Sequence, residues 1–178
     1  MTTPVPVCVD GASEVINAFI TALRQAFNPD SSCPPDGGGT RNVRFIASDG
    51  APQAAWDSHS ANGDGCGEPF VWVRVARRYR SQRFPEPVIN INPCDLPRVI
   101  AIEVGVARCA LMELQPSWEE YAAEAEVSLD DSWRLETALC AAMKGLIAEG
   151  HLVGTDIMMP FGPDGGVLGW SVQAYVQF

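Results

Sequence analysis

Lysine is almost missing from this sequence: eleven of its twelve basic residues are arginine and Lys144 stands alone, against twenty-two acidic residues and a formal charge of −10. So acidic a chain is ill suited to gripping duplex DNA, because phosphate neutralisation dominates such binding. Long hydrophobic runs are missing as well. No segment reaches the roughly eighteen consecutive apolar residues that mark a membrane helix, and Met1 to Asp10 lacks the basic start and apolar core of a secretory signal. The compartment these absences predict is the cytoplasm, with no membrane partner.

Paired cysteines at short spacing are lacking too. The six cysteines, at 8, 33, 66, 94, 109 and 140, contain no C-x-x-C, so reduced thiols are the expectation and a secreted disulfide domain the alternative. Zinc wants four Cys/His ligands, usually in close pairs; His59 and Cys66 have no second pair near them, and no metal or other cofactor is called. Imidazole is scarce: His59 and His151 are the only bases available to a Cys/His hydrolase, and a histidine just after a helix C-terminus, as His151 is, serves most simply as a dipole partner. The run Gly37-Gly38-Gly39-Thr40 has no phosphate-loop lysine and follows no strand, so it reads as a linker turn. Adjacent carboxylates at Glu119-Glu120 and Asp130-Asp131 do not face each other on a helix, and read as caps and a solvated face. No catalytic residue emerges, and the chain reads as a non-enzyme.

Apolar residues are not lacking. At 178 residues and 47% hydrophobic, the chain has the material for one core and the length of a single domain, 1–178. Val15, Ile16, Phe19, Ile20, Leu23 and Phe27 recur at helical spacing between the caps of Asp10–Ser13 and the stop at Pro29. Asn42 to Ser48 is a possible short strand, and residues 49–69, rich in glycine and small polar residues, are expected to form a long irregular loop. Phe70 to Arg80 reads as a strand with Val71, Val73 and Val75 on one face. Arg98 to Leu111 is the strongest strand, with Ile100, Ile102, Val104 and Val106 on one face and small residues opposite, and so is central. Ser117 to Glu126 reads as a short acidic helix. A second long helix is expected from Ser128 or Asp130 to Glu149, capped by Gly150. After a breaker-rich loop from Pro160 to Gly166, the residues from Val167 to Phe178 alternate strictly, with Leu168, Trp170, Val172, Ala174, Val176 and Phe178 on one face. The order predicts an α+β fold: a mainly antiparallel sheet with two long helices packed on one face.

Charge is segregated along the chain. Arg74, Arg77, Arg78, Arg80 and Arg83 crowd the end of one strand, while Glu113 to Glu136 holds eight carboxylates, Glu119, Glu120 and Glu124 among them, against Arg134 alone. Such a basic edge and acidic helix form internal salt bridges, a solvated surface, or the two halves of a contact repeated between copies, which is heterologous and closes into a ring when the rotation allows.

Three stretches carry a resemblance. Cys66-Gly-Glu-Pro-Phe-Val-Trp-Val-Arg74, Ile102-Glu-Val-Gly-Val-Ala-Arg-Cys109 and Gly162-Pro-Asp-Gly-Gly166 followed by Trp170 occur in an order and spacing that resembles the tail terminator proteins of long-tailed phages infecting actinobacteria. The likeness covers most of residues 10 to 178. Val167 departs from it, standing where such proteins often have cysteine; the 49–64 loop is longer than usual and the segment 114–126 is distinctive. The resemblance implies a ring-forming α+β subunit, a homo-oligomer and in particular a hexamer, of the virion's head-tail junction, assembled in the host cytoplasm. Its partners would be the tail tube protein, whose polymerisation it stops, and a head completion or connector protein. Genomic DNA would pass through the lumen without specific binding, past a wall that the −10 charge predicts to be negative. A neighbouring head completion or connector-joining protein is the alternative within the same class. The interface residues expected are the five arginines, Glu119, Glu120, Glu124 and the loop Pro163, Asp164, Gly165 and Gly166.

Overall fold

A computed structural model describes residues 10–47, 51–61, 66–89 and 92–178. The chain runs α1 (Ala12–Ala26), β1 (Val43–Ile46), α2 (Ala51–Ser60), β2 (Phe70–Arg80), a short 3₁₀ turn (Pro93–Asp95), β3 (Arg98–Cys109), α3 (Trp118–Ala148), β4 (Leu152–Thr155), β5 (Met159–Asp164) and β6 (Val167–Gln177). Six strands form one sheet in the order β1-β2-β3-β6-β4, with β5 pairing β6 beside β4. Only β1 is parallel to its neighbour; the rest is antiparallel. The fold is therefore α+β, as the order of periodic segments predicts.

Alternation decides the two faces of the sheet. Val71 and Val73 of β2, Ile100 to Val106 at every second position of β3, and Val172, Ala174 and Val176 of β6 share one buried cluster with Val15, Phe19 and Leu23 of α1 and Leu135, Ala138, Leu139, Ala142 and Leu146 of α3. Burying a side chain of this size is worth about 1.5–3 kcal/mol, so this cluster is the main source of cohesion. Register follows, because a slip of one residue would turn each stripe to the wrong face. β3 lies between β2 and β6, and β6 between β3 and the pair β4 and β5, so both long alternating strands are interior.

Four expectations need correction. Within the expected 49–69 loop, residues 51–60 form α2, and residues 49–50 and 62–65 lie outside the described residues. One buried anchor organises that helix: Trp56 packs edge-on against Phe70, which stacks on Trp72, on the sheet face away from α1 and α3. The short acidic helix and the second long helix are one, α3. It starts at a capping box, with the Glu120 amide donating to Ser117 Oγ and the Ser117 amide to Glu120 Oε2, and the Ala/Glu-rich stretch that follows has high helix propensity. Most of the breaker-rich loop is β5, where Pro160 and Pro163 are tolerated because an edge strand needs its amides on one side only. Gly165 and Gly166, at φ +58° and +78°, make the two-residue hairpin turn that demands glycine.

The fourth correction concerns the thiols. Cys66 and Cys109 form a disulfide, with Cα atoms 5.2 Å apart. Pairing of Phe70 with Ala107 across β2 and β3 carries the start of one strand to the end of the other, which a separation of 43 residues conceals. Cys33, Cys94 and Cys140 are free and exposed; Cys8 lies outside the described residues.

Candidate interaction surface

The arginine cluster divides once it is folded. Arg74 is buried on β2, its Nε 2.8 Å and its Nη2 2.5 Å from the two oxygens of Glu103, while Trp72 Nε1 donates to the same carboxylate. It is part of the sheet and leaves the set of exposed interface candidates. Arg80 is half-buried and donates to the carbonyl of Leu96 at 2.6 Å, which ties β2 to the chain entering β3. Arg78 is exposed but paired with Asp10, whose carboxyl that guanidinium holds below its ordinary value of 3.8. Arg77 and Arg83 are exposed, Arg77 lying 5.7 Å over the Tyr79 ring. Neither makes an ion pair among the described residues.

The acidic residues divide likewise. Glu120 is held in the capping box, and the amide of Ser117 keeps its carboxyl below 4.5. Glu124 accepts a 2.6 Å bond from the amide of Leu111, fastening the chain that leaves β3 to the helix above it. Glu113, Glu119 and Glu126 are exposed and have no ion pair among the described residues. Asp130 and Asp131 are far from solvated: Asp131 is buried against Arg108 at 2.5 and 2.8 Å, and Asp130 pairs with Arg134 one turn on. Burial pushes the Asp131 carboxyl above 3.8, with the Arg108 guanidinium pulling the other way.

These groups lie at opposite ends of the sheet. Arg77 and Arg78 sit opposite Ala101 and Ile100, and Arg80 opposite Arg98, at the start of β3. The acidic helix crosses the sheet at the far end of β3, where Asp131 meets Arg108 and Ser128 accepts from Trp170 Nε1. The hairpin tip is at this far end too, the carbonyl of Gly166 accepting from the amide of Ala110. From Ala101 to Cys109 is about 26 Å of strand at 3.3 Å per residue, several times the reach of an ion pair and beyond a Debye length of about 8 Å. Within one chain, then, Arg77, Arg78 and Arg83 do not meet the exposed glutamates of the acidic helix. The hairpin residues Pro163 to Gly166 and the glutamates Glu119, Glu120 and Glu124 gather at one end, and Arg77, Arg78 and Arg83 belong to the other.

No family model matches the chain, and no curated protein matches it.

What the sequence reading missed is apolar. Trp118, Tyr121, Leu129 and Trp133 are exposed along α3, and the first two turns of that helix, 118–123, are exposed on every side. Spacings of three, eight and four residues were legible as a helical stripe, but dividing the helix at Ser128 cut the stripe in two. His59 lies against Trp56 and Phe70 with Nε2 3.1 Å from the carbonyl of Glu68, and His151 has Nδ1 3.3 Å from the carbonyl of Gln177 and Nε2 3.9 Å from Glu149 Oε2. Cys66, the thiol nearest His59 in the sequence, is in the disulfide. Among the described residues no cluster of three or more His, Cys, Asp or Glu is placed to hold a metal ion, and no helix is long and apolar enough to cross a membrane.

Proposed function

We propose that this chain is a structural assembly protein that acts by joining copies of itself head to tail, and that its place is that of a tail terminator. In that place it caps the head-proximal end of a phage tail tube and joins the tube to the head connector. The observation that carries the reading is the separation of Arg77 and Arg83, exposed beyond one end of the sheet, from Glu113, Glu119 and Glu126, exposed at the other, none of them in an ion pair among the described residues. An ion-pairing surface split in this way is satisfied by a neighbour in the same orientation, the heterologous contact from which rings are made. The sequence resemblance supplies the identity of the ring, and a hexamer is the stoichiometry it implies.

The test separates the contact from the fold. Arg77→Glu with Arg83→Glu reverses two exposed arginines and spares Arg78, which is engaged with Asp10. The variant keeps its thermal midpoint within a few degrees and loses the assembled species in native mass measurement. Unchanged assembly refutes the interface. Binding of the wild-type assembly to purified tail tubes, and not to connectors lacking tubes, distinguishes a terminator from a neighbouring head completion protein.

A further inference from the structure

α3 carries two apolar stripes, and its own chain buries only one. Leu135, Ala138, Leu139, Ala142 and Leu146 face the core. At 100° per residue, Trp118, Tyr121, Ala125, Leu129 and Trp133 fall within about 120° of arc centred roughly a third of a turn away. Trp118 is 85% exposed, Leu129 67% and Trp133 53%. Trp118 and Tyr121 stand against each other with ring centroids 6.1 Å apart, and Met112 and Leu114, exposed just before the helix, extend the apolar surface. Taken together these side chains present on the order of 800 Å², given 150–250 Å² for each aromatic. That exceeds the roughly 300–600 Å² of the largest patch on an ordinary monomer, and matches one partner's share of a standard interface.

Resting on the head-to-tail reading above, we infer that this stripe is the apolar centre of the contact and that its occupant is a second copy of the chain, at the β3 start of its sheet. Charge selects the occupant. Glu113, Glu119 and Glu126 rim the stripe, so the surface that covers it is basic at its margin. The other end of the sheet offers Arg77, Arg83 and Arg98, all exposed and interspersed with the exposed Glu86, Asp95 and Glu149, together with Ile89, which is 103% exposed, and Leu152, exposed on the edge strand β4. The apolar stripe and its glutamates at one end thus find exposed arginines and exposed apolar side chains at the other, and the two cannot meet within one chain. Trp and Arg are the residue types that dominate binding energy at such contacts.

Mixing two crippled copies tests the assignment. An arm variant, Trp118→Glu with Leu129→Glu, retains a sound arginine end; the end variant, Arg77→Glu with Arg83→Glu, retains a sound arm. Circular dichroism and the thermal midpoint confirm folding, since all four positions are exposed. Each variant alone loses assembled species at least tenfold in native mass measurement, whereas an equimolar mixture forms a one-to-one heterodimer and nothing larger, because one good contact is restored and its ends are blocked. An arm variant that assembles like the wild type overturns the inference while leaving the arginine contact of the proposed function standing. A mixture that stays monomeric overturns the pairing of these two ends. An arm variant that assembles but no longer binds tail tubes assigns the stripe to the tube and overturns the second copy as occupant. A wild-type chain that never assembles overturns both readings together.

Discussion

Arg108 shows how much a single buried guanidinium organises. It pairs with Asp131 on α3 and donates to the carbonyls of Gly37 and Gly38, so the glycine run that looks like a linker turn is a cradle for a charge. At Gly37 a Cβ would stand 2.9 Å from the guanidinium carbon and 2.4 Å from Val127, which is why the run is glycine. Asp130 and Asp131 point 100° apart, as neighbours on a helix must, and each therefore serves a different arginine. The same geometry is compatible with caps and a solvated face; Arg108 is 23 residues from Asp131, and only the sheet places it there. Removing the acid leaves a buried cation with no counter-charge, so Asp131→Ala costs about 3–5 kcal/mol in urea unfolding. Adding Arg108→Met does not fully restore wild-type stability, since the carbonyl of the half-buried Gly37 then loses its donor at about 1 kcal/mol, while that of the exposed Gly38 turns to water. A loss below about 1 kcal/mol for Asp131→Ala would show that the pair is not holding the loop.

At the level of elements, legibility followed periodicity. α1, β2, β3 and β6 each bury a continuous stripe, and the stripe alone located them. α2 lacks one: its place depends on Trp56 reaching Phe70 and Trp72, a contact between residues that only the folded sheet brings together. Ser128 and Asp130 look like helix caps, yet within α3 the first accepts from Trp170 and the second from the amide of Asp36, so tertiary partners occupy the groups that would otherwise stop the helix. The disulfide was hidden for a similar reason, as compartment rules weigh cysteine spacing and antiparallel register does not appear in spacing. Cys66 and Cys109 do open and close two of the motifs on which the resemblance rests. The bond makes a sharp prediction: the denatured, unreduced protein titrates at least two fewer thiols than its six cysteines. Cys66→Ser, which opens a loop of 43 residues, lowers stability by up to about 4 kcal/mol on the loop-entropy account. Six titratable thiols in the protein purified without reductant would contradict the bond.

Across the whole molecule, a net charge of −10 works against self-association, and the separation of the two ends decides how that repulsion is overcome. Copies approaching in random orientation repel. Those approaching with the arginine end toward the acidic arm meet opposite charge, which steers the encounter, while the apolar stripe, once dehydrated, governs how long it lasts. Charges at the rim act chiefly on association and desolvated centres on dissociation, so the two contributions separate by salt. Raising ionic strength from about 0.1 M to 1 M shortens the Debye length from about 10 Å to 3 Å. Screening then removes the long-range repulsion between whole copies of charge −10 more completely than the attraction between facing patches a few ångströms apart. The association rate measured by stopped-flow light scattering therefore rises or holds, and the dissociation rate after dilution changes less than twofold. Trp118→Ala gives the complementary pattern, with association nearly unchanged and dissociation at least tenfold faster. A dissociation rate that rises steeply with salt in the wild type and ignores Trp118 would place the strength of the contact in its ion pairs and leave the exposed stripe for another partner.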